Sequence, residues 1–192
     1  MPLLFQYGSN CNAERLNAPE RLSGAATHST RAETVDEYDL SFEVWSQGNG
    51  CAASNLIPAP GTSHHAWGVL YDVSVERIRG RHRPDGKKTM EEIEGKLYEE
   101  KAIRIRDNAG AEVEATTFTV KPDARRQGLW TSAEYVRHII YGLRAHDVPE
   151  EYVQRVIDIA TETNQRATAR AGEQIRLIAQ LRRDPTSSDP SR

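Results

Sequence analysis

The chain is short of the residues that staple, span or carry charge toward nucleic acid. Only two cysteines, Cys11 and Cys51, occur in 192 residues, which argues against both a disulfide framework and a cysteine zinc site. No apolar run approaches the ~20 residues that a membrane helix needs. The opening Met1-Pro2-Leu3-Leu4-Phe5 lacks a basic stretch ahead of its apolar residues, so a cytoplasmic protein without a membrane partner is expected. A formal net charge of −3 gives no reason to expect nucleic-acid binding. A Gly-rich phosphate loop, a His-Glu-x-x-His helix and a Gly-x-Ser-x-Gly elbow are all missing. The adjacent pair His64-His65 follows a Pro-Gly turn, and its side chains should point in different directions, so no metal is implied.

What is present fits one domain with a sizeable core, plus at most an extension. Leu40, Phe42 and Val44 alternate with Ser41, Glu43 and Trp45, the period of a half-buried strand, and Cys51 to Ile57 reads as its return after the turn Gln47-Gly48-Asn49-Gly50. Ala66 to Tyr71 forms another strand, with Gly68 marking a bulge or a close backbone approach. Ala102 to Ile105 and Val113 to Val120 make a hairpin around Asp107-Asn108-Ala109-Gly110. Residues 17–31 read as irregular or partly helical surface.

The period then changes to that of helices. Thr131-x-x-Glu134 has the form of a capping box, and Tyr135, Val136, Ile139, Ile140 and Leu143 share one face of the helix it opens. A second helix starts at Asp147-Val148-Pro149, with Val153, Val156, Ile157 and Ala160 as its buried stripe. Strands first and helices last is an α+β order. The expected organisation is a domain over residues 1–160, a helical extension over 161–183 and a disordered tail over 184–192. The polar helix after residue 160 offers a surface for a homodimer.

Two stretches carry the chemistry. Leu3-Leu4-Phe5-Gln6 runs into Tyr7-Gly8-Ser9-Asn10 and then into a helix beginning near Asn12. At such a strand–loop–helix junction a glycine admits a close ligand and free N–H groups can hold an anion, although the same four residues also read as an ordinary turn. Ile93-Glu94-Gly95 sets a carboxylate beside an apolar residue at a helix end. Burial and the neighbouring Glu91 and Glu92 would both raise its pKa toward neutrality, whereas a solvated acidic face would leave it inert. Cys11 offers a rival, a nucleophile of an amidase, but no histidine stands at a recognisable partner position.

Four motifs in order, Tyr7-Gly8-Ser9-Asn10, Trp67-Gly68-Val69, Glu94-Gly95-Lys96-Leu97-Tyr98 and Val148-Pro149-Glu150-Glu151-Tyr152, resemble the γ-glutamylcyclotransferase-like family over about residues 3–160. The resemblance implies a small mixed β-barrel with packed helices and an enzyme that needs no cofactor. In this family the α-amine of a γ-glutamyl group attacks its own γ-carbonyl, releasing 5-oxoproline and an amine. By motif position, Glu94 is the general acid/base, Gly8, Ser9 and Asn10 hold the glutamyl α-carboxylate, Tyr7 lines the pocket, and Tyr98 hydrogen-bonds at the reacting group. The basic stretch from Arg77 to Lys88 departs from the family pattern, and Arg81 and Arg83 are candidate contacts to an anionic leaving group. A non-catalytic module that binds a γ-glutamyl or amino-acid ligand is the alternative from another class.

Overall fold

The structure is a computed structural model and describes residues 2–80, 86–167 and 171–182. Among the described residues seven strands form, β1 Leu3–Gln6, β2 Thr27–Thr34, β3 Tyr38–Ser46, β4 Cys51–Pro58, β5 Trp67–Asp72, β6 Tyr98–Asp107 and β7 Glu112–Val120. Five of them close a barrel in the order β1-β5-β2-β6-β7, and β3 pairs with β4 as a separate two-stranded sheet. Closure is made by a parallel contact of β1 with β7 at Leu4 and Thr116. The other barrel pairs are antiparallel, so the barrel is mixed, as the family resemblance implied.

The alternating pattern of β3 puts Leu40, Phe42 and Val44 in the core, each at most 4% exposed. β4 is buried at six successive positions, Cys51 to Leu56, as expected for a strand covered on both faces. At Gly68 an added Cβ would lie 2.3 Å from the Gln6 carbonyl oxygen and 2.8 Å from the Phe5 ring, so β1 and β5 approach as closely as they do because no side chain intervenes.

β2 corrects the reading of residues 17–31 as irregular throughout. Its first three residues are exposed, and Thr27-His28-Ser29-Thr30 offers no apolar alternation to reveal it. Pairing with β5 and β6 makes it a strand. Tertiary hydrogen bonding overrides weak local preference here.

Three short helices, α1 Ala13–Leu16, α2 Val75–Arg79 and α3 Met90–Glu94, lie in the connections, and α4 Ala133–Ala145, α5 Glu150–Arg166 and α6 Ala171–Gln180 follow the barrel. The expected apolar faces of α4 and α5 are buried, and each buried Val, Leu or Ile contributes roughly 1.5–3 kcal/mol. The cap of α4 is one residue later than the sequence pattern implied. Ser132 accepts from Tyr135 N–H at 3.1 Å, while Thr131 donates its hydroxyl to the Ala52 carbonyl at 2.8 Å. α5 continues through residue 160 to Arg166, because buried Asn164 bonds both the N–H and the carbonyl of Thr131, at 2.8 and 2.9 Å. Beyond it comes α6, with Ile178 on that helix and Leu181 just after it buried. The expected tail over 184–192 lies outside the described residues. Among the described residues no helix is long and apolar enough to cross a membrane.

Candidate active site

β1 delivers Tyr7 into the interior, where it is 5% exposed and its hydroxyl donates to the Phe118 carbonyl at 2.6 Å. The chain then turns through one 3-10 turn, Ser9–Cys11, before α1, which the Asn12 side chain caps by accepting from Arg15 N–H at 3.1 Å. The first backbone hydrogen bond of the 3-10 turn runs from Cys11 N–H to the Gly8 carbonyl. The amides of Ser9 and Asn10 therefore precede any acceptor within the turn.

The turn is clamped from two sides. Tyr71 places its hydroxyl 3.2 and 3.0 Å from the Asn10 and Cys11 carbonyls, and α4 passes so close at Gly142 that a Cβ there would lie 2.1 Å from the Cys11 carbonyl carbon. A Cβ on Gly8 would fall 2.3 Å from Ser54 Oγ, so glycine is required by close approach.

Glu94 ends α3. Thr89 and Glu92 form the capping box that starts this short helix, and Gly95, at a φ of 74°, terminates it. Across 84 positions of sequence, Asn10 Nδ2 donates to Glu94 Oε1 at 2.8 Å. Glu94 is half-buried and lines a cavity, and the protein packed around it withdraws bulk water. That burial pushes its pKa up to about 7, against the opposing pull of Arg21, the Asn10 hydrogen bond and Arg15. Glu91 and Glu92, expected to raise it by repulsion, do not contribute. Both are exposed, and Glu92 is spent on the cap.

The cavity has a volume of about 570 Å³ and is lined by Tyr7, Gly8, Ser9, Asn10, Glu94 and Tyr98. Six of the eight site residues singled out in the sequence thus line one cavity. Tyr98, the first residue of β6, donates to the Ser54 carbonyl at 2.8 Å, and burial keeps its phenol protonated well above the usual range. Arg81 and Arg83 lie outside the described residues.

Several residues of this cavity were not found in the sequence, Tyr135, Arg15 and Arg21 among them. Tyr135, read there only as part of a buried helical stripe, brings its hydroxyl 3.0 Å from Ser54 Oγ and accepts from Ser54 N–H at 3.1 Å. Arg15 and Arg21 also line the cavity. Their polar partners are asparagines: Arg15 Nη2 donates to Asn49 Oδ1 at 2.8 Å, and Arg21 Nη2 donates to Asn10 Oδ1. The Nε atoms of both arginines are buried without a partner. A short-range signal did exist, since Glu14-Arg15-Leu16 begins the helix next to the loop, but a lone arginine there looks like surface.

The amidase reading of Cys11 is overturned. The thiol is fully buried and donates to the Gln6 carbonyl at 3.0 Å. Burial pushes its pKa far up, away from thiolate formation. His64 and His65 diverge as expected, His64 toward Arg155 and His65 toward the Thr34 carbonyl. Among the described residues no cluster of three or more metal-ligating side chains occurs.

Residues 65–156 match the AIG2-like family. Solved structures with this fold include one described as a gamma-glutamyl cyclotransferase, 19% identical with a TM-score of 0.65, the match covering 80% of this chain and 85% of that one. An uncharacterized protein from Homo sapiens is also 19% identical, with a TM-score of 0.62 and the same coverage of 80% and 85%. YkqA from Bacillus subtilis is 14% identical with a TM-score of 0.61, and the match covers 83% of this chain and 54% of that one. A comparison with curated proteins finds no match.

Proposed function

With a γ-glutamylcyclotransferase-like chain as the premise, we propose that this protein converts a γ-glutamyl compound to 5-oxoproline and a free amine in the cytoplasm. The observation that carries the proposal is the hydrogen bond from Asn10 to Glu94, which joins the N-terminal loop and the acidic helix end in one cavity.

In this reading the amides of the Gly8–Asn10 turn hold the glutamyl α-carboxylate. The Glu94 carboxylate takes a proton from the α-ammonium. The freed nitrogen attacks the γ-carbonyl carbon, forming the ring C–N bond and a tetrahedral oxyanion. The oxyanion collapses, the bond to the departing nitrogen breaks, Glu94 returns its proton to that nitrogen, and the second proton of the ring nitrogen passes to the released amine, which leaves as an ammonium. Tyr98 supplies a hydroxyl at the reacting group. Because nucleophile and electrophile are tethered, orientation can replace much of the catalytic machinery, with effective molarities of about 10⁵–10⁸ M in favourable cases. One carboxyl poised near pH 7 is suited to both proton transfers.

The leaving amine is best served by negative charge. Among the described residues, Arg15, Arg21, Lys96 and Arg126 line the cavity with Glu94 as the one carboxylate beside them, in a protein whose net charge is −3. A polyamine would meet like charge there, whereas an acidic amine would meet donors. Incubation with γ-glutamyl amines of acidic, neutral and basic character, followed by assay of 5-oxoproline, tests the proposal. Release from acidic amines in preference to basic ones is the expected result. Stoichiometric binding without any 5-oxoproline would establish a ligand-binding module instead.

A further inference from the structure

Three side chains on the cavity floor form a directed chain. Arg21 Nη2 donates to Asn10 Oδ1, and Asn10 Nδ2 donates to Glu94 Oε1 at 2.8 Å. A guanidinium carries only donors, so its contact dictates which end of the Asn10 amide is oxygen. The NH₂ end is then left to face Glu94. An NH₂ group can donate to a carboxylate but cannot accept from a carboxylic acid. Turned over, the same amide would accept from the acid and favour the protonated form.

We propose that Arg21 is a positioning residue that locks the Asn10 amide, so that Glu94 is held as a proton acceptor. The proposal rests on the catalytic role given to Glu94 above. Arg21 is suited to the task because its own loop is closed. Asn17 bonds both the N–H and the carbonyl of Ala26 at 3.0 Å, and Arg21 N–H donates to Ala18 at 2.9 Å.

The other groups facing Glu94 are Tyr7 just after β1, Arg15 from α1, Tyr98 from β6 and Tyr135 from α4. Burial keeps the three phenols protonated. Lys96 and Arg126 also line the cavity, but the charges that pull on Glu94 are Arg15 and Arg21, and Arg15 is anchored on Asn49 instead. Arg21 thus combines a charge with a geometric hold on the amide.

The test is a ¹³C NMR titration of the side-chain carboxyl carbons, with Glu94 assigned by its loss in Glu94→Gln. It compares the full-length protein with Arg21→Met, Asn10→Ala and the double variant. Arg21→Met should raise the Glu94 midpoint by about one pH unit. Added to Asn10→Ala, it should shift the midpoint by much less, since the amide it acts through is gone. In turnover, Arg21→Met should lower kcat/KM about tenfold at pH 6 and converge on wild type by pH 9. Arg21→Leu, which likewise removes every donor, replaces the methionine variant if that one does not fold, with the same shift expected.

An unchanged midpoint in a folded Arg21 variant overturns the proposal. So does a shift of equal size with and without Asn10, which would mean that Arg21 acts by charge alone. If wild type releases no 5-oxoproline from any γ-glutamyl amine, the proposed reaction fails, yet the titration still decides what Arg21 does.

Discussion

Arginines of this protein live in two settings that look alike in the sequence. On β6, Arg104 faces Asp36 at 2.5 Å, and Arg106 faces Glu33 and Glu112 at 2.9 and 3.2 Å, all near solvent. Arg15 and Arg21 stand instead against the cavity, partnered by neutral amides, with their Nε atoms unpaired. An exposed ion pair gains little and costs little. A withdrawn cation that hydrogen-bonds no carboxylate retains part of a desolvation cost that an anionic ligand can relieve. The choice of partner, rather than the presence of charge, separates a working cation from a solvated one.

The sharpest break in that contrast should come at the carboxyl the inner arginines face. Glu94→Gln should lower 5-oxoproline release by about 10²–10⁴-fold while circular dichroism stays native. Full turnover in that variant would remove Glu94 from the mechanism. Next in size, Gly8→Ala forces a Cβ to 2.3 Å from Ser54 Oγ and should cost ~1–3 kcal/mol in denaturant unfolding. Adding Ser54→Ala should recover most of that loss, because the remaining Ser54 Cβ lies 3.6 Å away.

A smaller effect concerns pH. Burial raises the folded pKa of Glu94 to about 7 from an ordinary 4.5, so the protonated form is the one favoured in the folded state. Its contribution is fully present below about pH 4.5 and is lost as pH rises toward about 7. Glu94→Gln should therefore gain stability relative to wild type across that window, by up to ~1–3 kcal/mol at pH 8, read from unfolding midpoints at several pH values. The smallest effect belongs to the outer arginines. Arg104→Ala and Arg106→Ala should leave turnover and melting temperature within experimental error.

The same contrast explains what could be read from residues alone. Glu94, Tyr98 and the Tyr7–Asn10 loop were legible because a motif encodes a shape that only certain residue types satisfy, and the cavity gathers all of them. Arg15 and Arg21 were not, since an arginine becomes distinctive only through what surrounds it. The strands β3, β4 and β5 announced themselves through burial patterning. β2 did not, because its stability comes from partners distant in sequence. Glu91 and Glu92 show the reverse failure. They were counted as electrostatic neighbours of Glu94, yet both stand exposed to solvent, and Glu92 is turned back to the cap of its own helix.

The β3–β4 sheet stands outside the closed barrel but supplies Val44, Trp45 and Ser54 to the cavity. Two of its ties to the rest of the site are made by the main chain of residue 54, through its carbonyl to Tyr98 and its N–H to Tyr135. Any amino acid but proline can supply both. The hairpin is thus a replaceable wall on a fixed floor: its side chains can drift over evolution, or be recombined in a chimera, without casting off these moorings. Substrate range and reaction type can then change on separate clocks.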